Sequence, residues 1–282
     1  MKIEEVAKLT PMERLLYWIQ ERESIRLKRK AGQPPPWTND EILQRYRFCN
    51  VRRMDDKVSQ WFLNHWYKPN YGHKNMLVAC CLARQFNNPE AMEAIGFPKS
   101  WNPARIEKIL KERASGGLTN FGAAYMITGY YGGSKVSQVV WKFIHPLCES
   151  GLKMKTSSMR EAWSQLVGKP GFRSFIAGQV IADLRWATSG VWNDRTTWVP
   201  MGPGSLRGLH RFHDRWIGTK ISEKQFLGEL NEIINHCRKK LPQSIHGRME
   251  AMDFQNCMCE FEKYTRTLIG AGHPKQKYRG AV

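Results

Sequence analysis

Apolar side chains recur along most of this chain at the three- and four-residue spacing of a helix face, broken by short clusters of Pro, Gly, Ser and Asn. Asn102-Pro103 reads as an N-cap followed by proline in the first turn, and Ile106, Ile109 and Leu110 then repeat at helical spacing. Ser158 with Glu161, and Ser222 with Gln225, have the spacing of a capping box. Thr38 with Glu41 has it too, with Trp37 and Ile42 placed as a hydrophobic staple after the stiff run Pro34-Pro35-Pro36. This last signal predicts a helix that opens at Thr38 and still runs through Arg47 to Lys57. A helix over Phe172 to Thr188 is marked by Phe175, Ile176, Val180 and Leu184. Another opens near Ser205, with Leu209, Phe212 and Trp216 on one line, and the last covers about Ile245 to Ile269. Only Thr196 to Val199 reads as a short extended piece. The predicted class is mainly α, a single helical domain.

Punctuation divides the chain softly. Residues 1–36 read as a basic helical arm and Pro-rich connector, 37–269 as the helical body, and 270–282 as a basic, mobile tail. Gly129-Tyr130-Tyr131-Gly132-Gly133 and the stretch Gly190 to Gly204 read as two loops. No internal repeat or low-complexity block is visible.

Charge changes the picture from fold to partner. With 44 Lys and Arg against 25 Asp and Glu, the formal charge is +19 and the pI is near 9.8. Hydrophobic residues at 41% exclude a disordered polycation, so the excess charge belongs to a folded body that attracts polyanions. Nucleic acid is the expected partner. No apolar run approaches the roughly 18 residues of a membrane span, no concentrated amphipathic basic face suggests a membrane surface, and no apolar leader is visible at the start. The seven cysteines are an odd set, and Cys257-x-Cys259 is tighter than a zinc knuckle, so they read as reduced, mostly buried thiols of a cytoplasmic protein, with no metal site expected.

Three constellations could carry chemistry. The first runs from Arg47 to Lys57 and contains Arg47, Asn50, Arg52 and Arg53, whose guanidinium forks match phosphate oxygens; its alternative is a solvated face of ion pairs. The second is Gly168-Lys169-Pro170-Gly171, a turn that opens a helix and could offer backbone N–H groups to an anion. Asp183 on that helix, beside Arg185, is a candidate base if partly buried, or else pairs with an arginine and only fixes the fold. The third is Pro200 to Leu209. Gly202, Gly204 and Ser205 lead into a helix on which Arg207, Arg211 and Arg215 follow at four-residue steps, a phosphate or pyrophosphate cradle unless it is only a Pro-Gly turn. His210 and His213 read as a packed or DNA-contacting pair rather than metal ligands. No Gly-x-x-x-x-Gly-Lys-Ser/Thr phosphate loop, no GxGxxG, no HExxH and no deaminase zinc signature is present.

Glu23-Ser-Ile-Arg-Leu-Lys-Arg-Lys-Ala-Gly-Gln-Pro-Pro-Pro-Trp-Thr, Arg47-Phe-Cys-Asn-Val-Arg-Arg, Ala182-Asp-Leu-Arg, Gly202-Pro-Gly-Ser-Leu-Arg-Gly and Glu260-Phe-Glu-Lys-Tyr together resemble the bacteriophage thymidine hypermodification proteins. These are the α-glutamyl/putrescinyl thymine pyrophosphorylases and the helical domain of 5-hydroxymethyluracil DNA kinase. The resemblance runs from about residue 21 to 279. It implies a helical fold similar to helix-hairpin-helix DNA glycosylases, with Gly168 to Gly171 as the hairpin. That hairpin has an extra residue relative to G-x-G, and the Gly202–Gly204 loop lacks the glycosylase Asp, which disfavours base excision.

The implied activity is transfer of an amine, from an amino acid or polyamine co-substrate, onto 5-(pyrophosphoryloxymethyl)deoxyuridine in DNA with loss of pyrophosphate. Asp183 would serve as base, with Arg207 and Arg53 as catalytic cations beside Arg52; Arg47, Asn50, Gly168, Gly171, Arg185, Gly202, Gly204, Ser205 and Arg211 would hold phosphates. The target base would leave the stack. The expected partners are double-stranded, hydroxymethyluracil-derived DNA and other phage base-modification enzymes in the cytoplasm of an infected host, with Mg as a candidate ion and no membrane. The alternatives are a 5-hydroxymethyluracil DNA kinase, a glycosylase-like enzyme and a non-catalytic DNA-binding protein.

Overall fold

The computed structural model describes residues 1–122, 133–154, 157–188 and 192–278. In chain order its helices are α1 (Ile3–Ala7), α2 (Pro11–Lys30), α3 (Glu41–Arg45), α4 (Lys57–Trp61), α5 (Met76–Phe86), α6 (Pro89–Ile95), α7 (Pro103–Ser115) and α8 (Lys135–Ser137). Then come α9 (His145–Glu149), α10 (Met159–Leu166), α11 (Ser174–Ala187), α12 (Pro203–Phe212), α13 (Glu223–Lys240), α14 (Gln243–His246) and α15 (Ala251–Leu268). Two π-helical segments, Phe62–Tyr67 and Gln138–Ile144, continue α4 and α8. Among the described residues there is no strand, and one isolated antiparallel bridge joins Tyr46 to Lys277. The mainly α class therefore holds.

The chain divides into two compact units: Met1–Asp56 with Arg195–Val282, and Lys57–Asp194. In the first, α12 lies along α15, and α2 and α13 pack against them. Trp18, Phe226, Phe254, Phe261 and Tyr264 fill its centre. The α12–α15 approach is close because Gly208 has no side chain: a Cβ there would meet the Met258 carbonyl oxygen at 2.1 Å. In the second unit, α5 and α11 are the central pair. Both are buried nearly all round.

Local signals place several helix starts. Asn102, Ser158 and Ser222 accept the N–H of Arg105, Glu161 and Gln225 and open α7, α10 and α13. The Thr38 signal does not hold. Asp40 caps α3 by accepting the Leu43 N–H at 3.0 Å, while the Thr38 hydroxyl donates to Glu21 at 2.5 Å. The helix then ends at Arg45, the chain turns extended at Tyr46, and this segment pairs with the tail. The tail is accordingly held over 276–278: Arg47 N–H donates to the Gln276 carbonyl at 3.0 Å, and Tyr278 N–H to the Arg45 carbonyl at 3.1 Å.

Other readings change as well. Ser205 is the third residue of α12, not its cap, and its hydroxyl closes on Gly202. Phe175 is 37% exposed, and α11 packs through Ala177, Val180, Ile181 and Leu184. The predicted last helix is two, α14 and α15. The predicted Gly129–Gly133 loop falls, except for Gly133, outside the described residues.

Candidate functional site

The first constellation is a loop tied from within its own unit. Arg22, buried in α2, donates to the Phe48 carbonyl at 3.3 Å and to Asn50 Oδ1 at 2.6 Å. Asn50 donates through Nδ2 to the Asp55 carbonyl at 2.7 Å, and its N–H meets Asp56 Oδ1 at 3.0 Å. Arg26 grips Glu23 and reaches Asp55 at 3.4 Å, and Arg52 Nε donates to the Arg248 carbonyl at 3.1 Å. Asn50 therefore holds loop geometry, and Arg52 is half-buried in an ion-pair network. Arg53 begins a 3-10 turn and is buried; its N–H donates to Asp253 Oδ1 at 2.9 Å. Arg47 is exposed.

The third constellation packs against α15. Gly204 lets the chain approach Cys259 so closely that a Cβ would meet its Sγ at 2.3 Å. Arg211 pairs with Glu262 at 3.4 Å, and Arg215 makes a two-point pair with Glu229 at 2.8 and 2.5 Å. Arg207 is exposed. Trp216 is not on an apolar line: α12 stops at Phe212, and the indole stands 78% exposed. His210 is fully buried; desolvation, with Arg215 adding to it, holds its imidazole below the usual value.

Helix α15 is what the two constellations share. Asp253 takes the Arg53 N–H, Asn256 donates to the Asn50 carbonyl at 3.2 Å, and Glu260 accepts the Cys49 N–H at 3.2 Å. Glu262 faces Arg211 and Arg266, while the Tyr264 hydroxyl donates to Asp40 at 2.5 Å. In the Glu260-Phe-Glu-Lys-Tyr signature, Glu260, Phe261, Glu262 and Tyr264 are thus buried anchors. Sequence reasoning gave Asp253 no role, because nothing local announces that a carboxylate will be buried against a backbone 200 residues away.

Burial pushes the Asp253 carboxyl up to about 6, although two N–H donors, from Arg53 and Glu250, oppose it. In an unfolded chain it would titrate at about 4. The folded state therefore holds this proton more tightly, and the resulting stability is complete below pH about 4 and lost as pH rises through about 6. Wild type is expected to lose about 1 kcal/mol more than Asp253→Asn between pH about 5 and about 7.5, read from urea midpoints at each pH. His210 acts with the opposite sign, so the difference between the two proteins is the quantity to measure.

The remaining predicted residues, Asp183, Arg185, Gly168 and Gly171, belong to the second unit. Asp183 has no exposed surface. Arg84 holds both its oxygens at 2.6 Å, and Tyr67, brought round by the first π segment, donates to Oδ2 at 2.5 Å. This is the fold-fixing arrangement, with Arg84 as the partner. Gly168 and Gly171 have positive φ of 85° and 80° in the turn between α10 and α11. A Cβ on Gly171 would enter the Phe143 ring, and its carbonyl accepts from Gln85 at 2.8 Å. The start of α10 is closed by Asp194, which takes the N–H groups of Met159 and Arg160. Arg185 is half-buried near the end of α11.

The sequence matches the family model for the 5-hmdU DNA kinase, helical domain, over residues 10–273. A curated relative, the 5-hmdU DNA kinase of Bacillus phage SP10, is 25% identical over 224 residues. That match covers 69% of this chain and 35% of the relative, so the chain spans about a third of the relative's length. No solved structure matches. No described helix is long and apolar enough to cross a membrane.

Proposed function

Because the chain belongs to the family of 5-hmdU DNA kinase helical domains, we propose that it engages DNA carrying 5-hydroxymethyldeoxyuridine and serves phosphorylation of that base. The match over residues 10–273 is the observation that carries this reading. In the reaction the hydroxymethyl oxygen attacks a nucleotide γ-phosphorus, a new P–O bond forms, the bond to the departing diphosphate breaks, and the hydroxyl proton passes to a base. The chain has no Gly-x-x-x-x-Gly-Lys-Ser/Thr phosphate loop, so this reading assigns nucleotide binding to a partner or a further domain.

The roles within the chain follow from exposure. Arg47 and Arg207 are the exposed cations of the predicted set and take DNA phosphates. The turn at Gly168 and Gly171, and Arg185, serve the second unit in the same way, while Gly202, Gly204 and Ser205 set the start of α12. Arg53, Arg52, Asn50 and Arg211 position the surfaces they tie together. Asp183 holds unit 2 through Arg84. A target base in the stack must be extruded at a cost of a few kcal/mol, and the exposed indole of Trp216 is suited to stacking on exposed bases.

The missing phosphate loop equally suits a second reading, displacement of pyrophosphate from an activated base by an amine, with a carbon–nitrogen bond replacing the carbon–oxygen bond. Competition binding between hydroxymethyluracil and thymidine duplexes, followed by nucleoside mass spectrometry, tests both. Preferential binding of the hydroxymethylated duplex, with a phosphorylated nucleoside appearing from ATP once the full kinase is present, is the expected result. An amine adduct from pyrophosphorylated DNA would replace this reading by the second. Equal binding of both duplexes and no product in either assay overturns both.

A further inference from the structure

The paired tail brings together three basic stretches that are far apart in sequence. The bridge between Tyr46 and Lys277 brings the backbone of residues 45–47 alongside that of residues 276–278, so Arg45 and Arg47 lie on one segment of the ribbon and Lys275 and Lys277 on the other. Tyr278 then leans edge-on to Trp37, with ring centres 6.1 Å apart. Arg29, at the end of α2, lies over both rings, at 5.1 and 5.6 Å. Trp37 itself is fixed: its Nε1 donates to the Gln33 carbonyl at 2.7 Å, and Lys28 donates to its carbonyl at 2.7 Å.

Arg29, Arg45, Arg47, Lys275 and Lys277 are all exposed, and none is ion-paired among the described residues. Cations at the end of α2 suit the helix dipole. Arg47, Lys275 and Lys277 lie outside any helix, where that reason is absent. Uncompensated like charges in one place repel each other, so a fold that gathers them on an ordered frame gains only when an anion covers them.

We propose that this strip, formed by the end of α2, residues 45–47 and the tail, is a DNA-backbone contact of the first unit, separate from the α10–α11 turn. The choice of DNA among polyanions rests on the function proposed above. Phosphate contacts of this kind are sequence-independent, whereas that function requires preference for the modified base, so the two can fail separately.

The test uses the full chain and a plain thymidine duplex, with binding measured across a salt series. Each neutralised phosphate contributes about 0.9 to the slope of log affinity against log salt. The double variants Arg45→Ala/Arg47→Ala and Lys275→Ala/Lys277→Ala are each expected to lower that slope by about 1.8. The backbone pairing, which uses main-chain atoms, remains in both. Arg45→Lys/Arg47→Lys is expected to keep the wild-type slope, which a purely structural role for the guanidinium groups would not predict. Wild-type slopes in both alanine pairs overturn the proposal. So does an effect confined to binding of vesicles of anionic phospholipid.

Discussion

Replacing Arg84 by Met is expected to destabilise unit 2 by about 3–5 kcal/mol, because it leaves the Asp183 carboxylate sealed in the core without its cation. The guanidinium is 3% exposed and the carboxylate 0%, so water cannot replace the lost partner. Tyr67 would keep its bond to Oδ2 and recover only part of the loss. The double variant Arg84→Met/Asp183→Leu should be less destabilised than Arg84→Met alone, since an apolar pair can fill a space that an orphaned charge cannot. Urea unfolding of the three proteins checks this. A loss below about 1 kcal/mol in Arg84→Met would show that the pair does not hold the unit. Asp183→Asn keeps the shape: wild-type product formation by a folded Asp183→Asn protein would exclude a role for this carboxylate as a base.

Gly208→Ala should be nearly as damaging in the first unit. The added methyl would meet backbone, the Met258 carbonyl oxygen at 2.1 Å and its carbon at 2.7 Å, so no side-chain rotation relieves it. Overpacking ordinarily costs about 1–3 kcal/mol, and a main-chain collision between helices belongs at the upper end. Moving α12 from α15 also moves Arg207 and Arg211, so weaker DNA binding is expected along with the lower unfolding midpoint. Gly228→Ala, in α13 with open space around it, is the control and should stabilise by up to about 1 kcal/mol. Equal midpoints for the two variants would show that the α12–α15 approach is not under this constraint.

What could be read from the sequence was local. Asn102, Ser158 and Ser222 announce helix starts because the donor and acceptor lie three residues apart. Thr38 misled because Asp40 competes for the same role two residues on, and the choice is settled by Glu21 in another helix. The extent of α3 was illegible for a similar reason: its end depends on a pairing with residues more than 200 positions away. Charged residues were hardest. Arg22, Arg84, Asp253, Glu260 and Glu262 look like surface in composition, yet all are buried, each beside a partner that only the fold supplies. The first constellation has the make-up of a phosphate-gripping surface or of a face of ion pairs, and its inner members mostly grip one another. The exposure of Trp216 was hidden by its apparent place in a helical repeat that stops one turn earlier.

The π segment at Phe62–Tyr67 gives this helix slack in its residue count. Such a segment accommodates one residue more than a regular helix would. Deleting a single position from Leu63 to Trp66 would let the stretch relax to ordinary α geometry while the helix beyond it keeps its orientation, so the Tyr67 hydroxyl still reaches Asp183. A deletion in a regular helix has no such slack and turns everything beyond it by about 100° about the axis. Relatives that keep the Tyr–Asp–Arg cluster should therefore tolerate a one-residue gap along this stretch.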